Sequence, residues 1–232
     1  MSVYSTFKKS IQNTPVFLYE NLLTYFCEGN KIHVKVSDKE LSYINNNVVK
    51  LDDSILNLEK KNQKNIQFAN AKTILKRWYG KNVIPQNADV YLYKNLLYVL
   101  NGNFILKSEL GDSIGNRSSK IPNIFINALI EDEQLKGCYI NDYITFEFDN
   151  IVIECRFMNQ NMFCDTVDNF ISSSFINSKK GLFTGSELES IKNIGRFYVN
   201  GLSETFKDKE YSYSSRLAYI NYLESDVYFS IF

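Results

Sequence analysis

Histidine is almost missing from this chain: His33 is the one example in 232 residues. Ser and Cys nucleophiles usually depend on a histidine base, and no partner for His33 is visible nearby in sequence. A catalytic triad is therefore not expected. The four cysteines, Cys27, Cys138, Cys155 and Cys164, contain no CxxC pair. That spacing argues against a tetrahedral zinc site and suits small buried thiols in a reducing compartment. Phosphate-binding glycine loops of the GxxxxGK[ST] or GxGxxG type are also absent. No apolar run approaches the roughly 18 residues of a membrane span. The first 19 residues lack acids but also lack arginine, so they are not read as an import sequence. Glu131, Asp132 and Glu133 are adjacent carboxylates of the kind that solvent normally covers, and Glu131, Asp142 and Glu147 make a poor divalent-ion set. Taken together, the chain reads as non-enzymatic, with no catalytic residue, no metal and no cofactor.

What the chain has is apolar and aromatic mass. Hydrophobic residues make up 44% and aromatics 15%, enough for one or two cores. Only three prolines occur, and the Asn, Lys, Ile, Tyr and Phe bias points to an AT-rich genome, as in an organelle, a virus or an AT-rich microbe. The formal net charge is zero, but the charges are segregated. Residues 57–82 hold seven Lys/Arg against Glu59 (7 − 1 = +6), and residues 128–154 hold Lys136 against seven acids (1 − 7 = −6). A local basic face can neutralise phosphates even in a neutral protein.

Patterning predicts an α+β protein, helices with antiparallel β-hairpins. A helix is expected near Pro15–Glu28, with Gly29 at its end. Lys31–Val36 alternates as a strand, with His33 opposite Ile32, Val34 and Val36. Asp52-Asp53-Ser54 would cap a helix running, with a possible break, to Tyr79, with Lys76 and Arg77 in its last turn. Strands are predicted at Val90–Tyr93, Leu96–Leu100 and Phe104–Lys107, the last two joined by Asn101-Gly102. The clearest hairpin is 143–157, YITFEFDNIVIECRF, turning at Asp149-Asn150. A helix over 165–177, a second over 185–194, a strand over 196–200 and closing β segments complete the chain. No long internal repeat is visible in the sequence.

The strongest candidate surface is AKTILKRWYGK (71–81), where cations alternate with aromatics able to stack on bases. Further on, Val167-Asp168-Asn169, Gly185-Ser186-Glu187 and Gly195-Arg196-Phe197-Tyr198-Val199-Asn200-Gly201 follow one another. Together with Leu75-Lys76-Arg77-Trp78-Tyr79-Gly80 upstream, they resemble, in order, motifs of the small-subunit ribosomal protein S-four family. The resemblance covers about a quarter of the chain. It implies a C-terminal two-helix-plus-strand RNA-binding module, and a structural component of the small ribosomal subunit of an organellar type.

On that resemblance the expected RNA contacts are Lys72, Lys76, Arg77 and Tyr79, then Lys179, Lys180, Ser186, Lys192, Arg196 and Asn200. The partners would be ribosomal RNA and neighbouring small-subunit proteins, and the location the mitochondrial matrix or another organelle. The expected organisation is an N-terminal extension over 1–50, a basic helix with a β-rich insertion over 51–161, and the RNA-binding module with its tail over 162–232. The alternative is a virion structural protein, a collar or connector subunit that assembles with copies of itself into a ring through its opposite charge patches.

Overall fold

The computed structural model describes residues 11, 14–44, 48–52, 64–65, 69–80, 88–102, 104–131, 135–140, 142–158, 162–182, 207–214 and 217–230. The chain divides into two compact units, Met1–Phe68 with Ser119–Phe157, and Ala69–Ser118 with Met158–Phe232.

Tight turns between apolar runs dictate the first unit. Val16–Tyr19 (β1), Leu22–Cys27 (β2) and Asn30–Lys35 (β3) form an antiparallel meander. Its first turn places Glu20 at φ 51°, and its second places Glu28 at φ 51° and Gly29 at φ 80°, the left-handed conformations that match the twist of a hairpin. The capped turn Asp38–Leu41 (α1) follows, with Ser37 and Glu40 forming a reciprocal capping box. Val48–Lys50 (β4) then pairs parallel with β1. A later meander, Gly137–Ile140 (β10), Tyr143–Glu147 (β11) and Ile151–Arg156 (β12), joins the first edge to edge, β12 against β3. With Lys64–Asn65 (β5) on β10, the sheet order is β4-β1-β2-β3-β12-β11-β10-β5. Asn123–Ile130 (α3) lies over one face, where Phe125 meets Phe146 at 4.3 Å and Phe148 at 5.8 Å between ring centroids.

The second unit repeats the construction. Ala69–Gly80 (α2) leads into the meander Asp89–Tyr93 (β6), Leu96–Asn101 (β7) and Phe104–Glu109 (β8). After the strand Ser118–Ile121 (β9), the chain returns as Met162–Ser174 (α4), Lys179–Leu182 (β13), Glu210–Tyr213 (β14), Leu217–Tyr222 (β15) and Ser225–Ser230 (β16). β16 joins β8 edge to edge, so the unit's strands run β13-β14-β15-β16-β8-β7-β6. Helix α2 packs on one face of this sheet through Trp78. Helix α4 packs on the other through Cys164, which joins Tyr91, Tyr93, Tyr98 and Leu100 in a buried cluster.

Among the described residues four three-strand meanders recur in chain order (β1–β3, β6–β8, β10–β12 and β14–β16), the second and third preceded by a short strand and a helix and the fourth by α4. The first meander shares a sheet with the third, and the second with the fourth. This corrects the expected fold class, because antiparallel sheet dominates and the helices are covers for it. The helix predicted over 15–28 is the β1–β2 hairpin. Its apolar residues satisfy a helical period, but pairing Tyr19 with Leu22 across a two-residue turn lets both strands enter a sheet, and tertiary pairing overrides local pattern. The second helix (185–194) and strand (196–200) of the expected module lie outside the described residues.

Candidate functional site

Two groups of chemically able side chains emerge, one in each unit. In the first unit, Thr24, His33 and Glu154 stand on β2, β3 and β12, on the sheet face opposite α3. Thr24 Oγ1 lies 2.8 Å from His33 Nδ1, and His33 Nε2 lies 3.3 Å from Glu154 Oε2. A carboxylate only accepts, so Nε2 carries the donated proton; the Thr24 hydroxyl donates to Nδ1 of a neutral ring and accepts from Nδ1 of a charged one. Lys31 Nζ completes the group 3.2 Å from the same carboxylate oxygen and lies 4.9 Å from the Tyr143 ring centroid. Burial would push the Glu154 carboxyl up, but the hydrogen bond from His33 and the charges of His33 and Lys31 hold it below the ordinary value.

This order of hydroxyl, imidazole and carboxylate is that of a hydrolytic relay. However, Thr24 is 2% exposed, His33 0% and Glu154 2%, and all three lie within paired strands. A substrate carbonyl cannot reach the hydroxyl, so the group is structural. The carboxylate that faces His33 was not visible in sequence because Glu154 is 121 residues away.

In the second unit, Asp165 and Asp168 project from α4 onto the sheet. Asp165 accepts from the Tyr93 hydroxyl at 3.0 Å, and Asp168 accepts from Tyr98 at 3.0 Å and from Lys107 at 2.8 Å. Burial and the Asp168 charge push the Tyr98 hydroxyl up strongly. Burial, with Asp168 and Asp165, pushes the Cys164 thiol up to about 12. Burial also pushes Cys155 well above its usual value. Thiols held neutral in this way are poor nucleophiles and poor metal ligands. Among the described residues no group of three or more His, Cys, Asp or Glu could hold a metal ion.

Of the candidate RNA-contact residues, Lys72, Lys76, Arg77 and Tyr79 share α2, and Lys179 and Lys180 share β13. Trp78 is fully buried, and its indole Nε1 donates to Ser225 Oγ at 3.1 Å. Arg77 donates from Nη1 to the Leu223 carbonyl at 3.2 Å and lines a cleft of about 320 Å³ with Thr73, Ile74, Ser108, Glu109, Leu223 and Glu224. Tyr79 is largely enclosed, and burial pushes its hydroxyl up to about 12. Lys72 and Lys76 remain half-exposed, one turn apart on α2. Lys179 and Lys180 are exposed on β13, which ends its sheet. Ser186, Lys192, Arg196 and Asn200 lie outside the described residues.

No protein-family model matches the chain, and a search of curated proteins finds no match. Solved structures do match. A DNA polymerase sliding clamp from Bacillus subtilis is 11% identical, covering 97% of this chain and 77% of that one, at a TM-score of 0.46. A Helicobacter pylori beta clamp bound to a DNA ligase peptide is 8% identical over 93% and 75%, also at 0.46. A DNA polymerase III beta subunit from Thermotoga maritima is 10% identical over 93% and 74%, at 0.44. At TM-scores below 0.5 these likenesses carry no functional argument by themselves.

The ribosomal expectation is corrected on both counts. The matching structures are described as clamps and beta subunits of bacterial origin, and among the described motif residues three serve the packing of the second unit's sheet. Leu75 and Trp78 are core, and Asp168 ties α4 to Tyr98 and Lys107. Ribosomal RNA and small-subunit proteins as partners, translation as the process and an organelle as the location all fall with it. The virion collar alternative and its virion location fall as well.

Proposed function

We propose that this chain is a clamp-type protein, non-enzymatic, that encloses DNA as a ring of copies and holds it without modifying it. The carrying observation is the interleaving of meanders, each joined edge to edge with the meander two places along (β3 with β12, β8 with β16). Sheets extended by edge pairing leave open edges at their ends, and an open edge offers a row of N–H and C=O groups to another copy. Strand β13, with its residues mostly exposed, is such an end. The buried Thr24–His33–Glu154 relay and the enclosed Cys155 and Cys164 thiols offer no chemistry to solvent, in keeping with a holding role. Lys72 and Lys76 supply a cationic strip on α2 for phosphates.

The reading requires self-association into one closed species. Light scattering across a wide concentration range should give a single defined multiple of the 27.0 kDa chain. A mass that climbs without limit, or a monomer at every concentration, would contradict it.

A further inference from the structure

The two sheets are assembled alike, but the seams where their meanders meet are chemically different. In the first unit, β3 and β12 place Ile32, Val34, Ile151 and Ile153 on the apolar face and Lys31, His33, Val152 and Glu154 on the other. Glu154 is the one acid of that polar group: it faces Lys31 at 3.2 Å and His33 at 3.3 Å from β3, and through His33 it reaches Thr24 of β2. Strand β11 brings Thr145 opposite it, with Tyr143 and Glu147 to either side, and β12 itself carries Arg156 beyond it and Cys155 on the reverse face. In the second unit, side-chain hydrogen bonds at the seam run from Ser225 Oγ to Ser108 Oγ at 3.0 Å and from Ser108 Oγ to the Glu224 carbonyl at 3.2 Å, between groups that do not titrate. Lys107 and Asp226 are cross-strand partners at that seam, but each takes its side-chain contacts elsewhere: Lys107 with Asp168 of α4, and Asp226 with Tyr219 and Asn221 of the adjacent strand.

We infer that the buried Lys31–Glu154–His33–Thr24 group makes the β3–β12 seam an acid-sensitive joint, so that the first unit opens between its meanders while the second stays closed. Protonating the imidazole turns Nδ1 into a second donor. The Thr24 oxygen can accept from it, and Glu154 still balances the charge, so that step keeps the joint shut. Protonating Glu154 removes the anion that two buried or half-buried cations share, and their mutual repulsion then acts across the seam. Because the folded-state carboxyl sits below its ordinary value, its stabilisation is complete above that value and is lost as pH falls through the folded one.

Hydrogen exchange of the full chain, corrected for the intrinsic pH dependence of exchange, tests this from about pH 6 to about pH 3, a window that spans the carboxylate range. Protection over 31–35 and 151–155 should fall about tenfold or more beyond any fall over 104–108 and 225–229. In Glu154→Gln, whose amide oxygen still accepts from His33 Nε2, that excess should vanish. Parallel loss at both seams in the unaltered chain, which needs no variant to fold, would overturn the inference, as would an unchanged excess in Glu154→Gln.

Discussion

At the scale of single residues, the structure reassigns the side chains that looked most like nucleic-acid contacts. Trp78 is a core residue, and its indole N–H is satisfied by Ser225. Trp78→Ala should therefore cost about 3–5 kcal/mol of stability by the usual scale for buried aromatics. Trp78→Phe should cost less, since it keeps most of the apolar contact. Denaturant unfolding of the two variants checks this; a stability loss near zero in the alanine variant would return Trp78 to the surface. The β15–β16 turn sets Leu223 at φ 53° and Glu224 at φ 58°, where neither side chain is favoured. Glu224→Gly should stabilise the chain by about 0.5–1 kcal/mol, read from the same unfolding curves. The sequence could suggest that Trp78 belongs either to a core or to a stacking surface. It could not choose, because the deciding partner lies 147 residues away.

At the scale of elements, the short alternating strands were legible. Lys31–Val36, Val90–Tyr93, Leu96–Leu100 and Phe104–Lys107 fall where β3, β6, β7 and β8 are found, and the hairpin 143–157 is β11 and β12. Their period of two and their Asn-Gly or Asp-Asn turns are local signals. The β1–β2 hairpin was not legible, because Glu20-Asn21 is a less obvious turn pair and its flanking apolar residues suit a helix equally well. Helix α4 was placed nearly correctly, but its Asp168 was read as a motif residue and not as an anchor. The enclosed tyrosines of the second unit give a pH prediction. Tyr79, Tyr98 and Tyr228 all have hydroxyls pushed up by burial, Tyr79 to about 12. A raised folded-state value stabilises the protonated form. That contribution is whole below the usual tyrosine value of 10.0 and is lost as pH rises through the folded values. Tyrosinate absorbance should show a late group of tyrosines ionising together with loss of structure. Ionisation of every tyrosine near the ordinary value, with the fold intact, would contradict this packing.

At the scale of the whole molecule, no sequence signal announced the interleaved meanders. Their strands share alternation but not residues, so the recurrence appears in the order of elements and in which edges meet. The unit boundaries follow from it, since each unit gathers two meanders separated by the other unit's chain. The proposal of a DNA-enclosing clamp belongs to this scale, and topology distinguishes it from contact binding. Contacts with phosphates weaken steeply as salt rises, whereas a closed ring leaves DNA only at an end. Mixing the protein with linear DNA, blocking both ends with a bulky protein after threading, and washing at high salt tests the central claim directly. The account predicts retention on end-blocked DNA and loss from DNA with open ends. Equal retention on both, or loss from both, would contradict it.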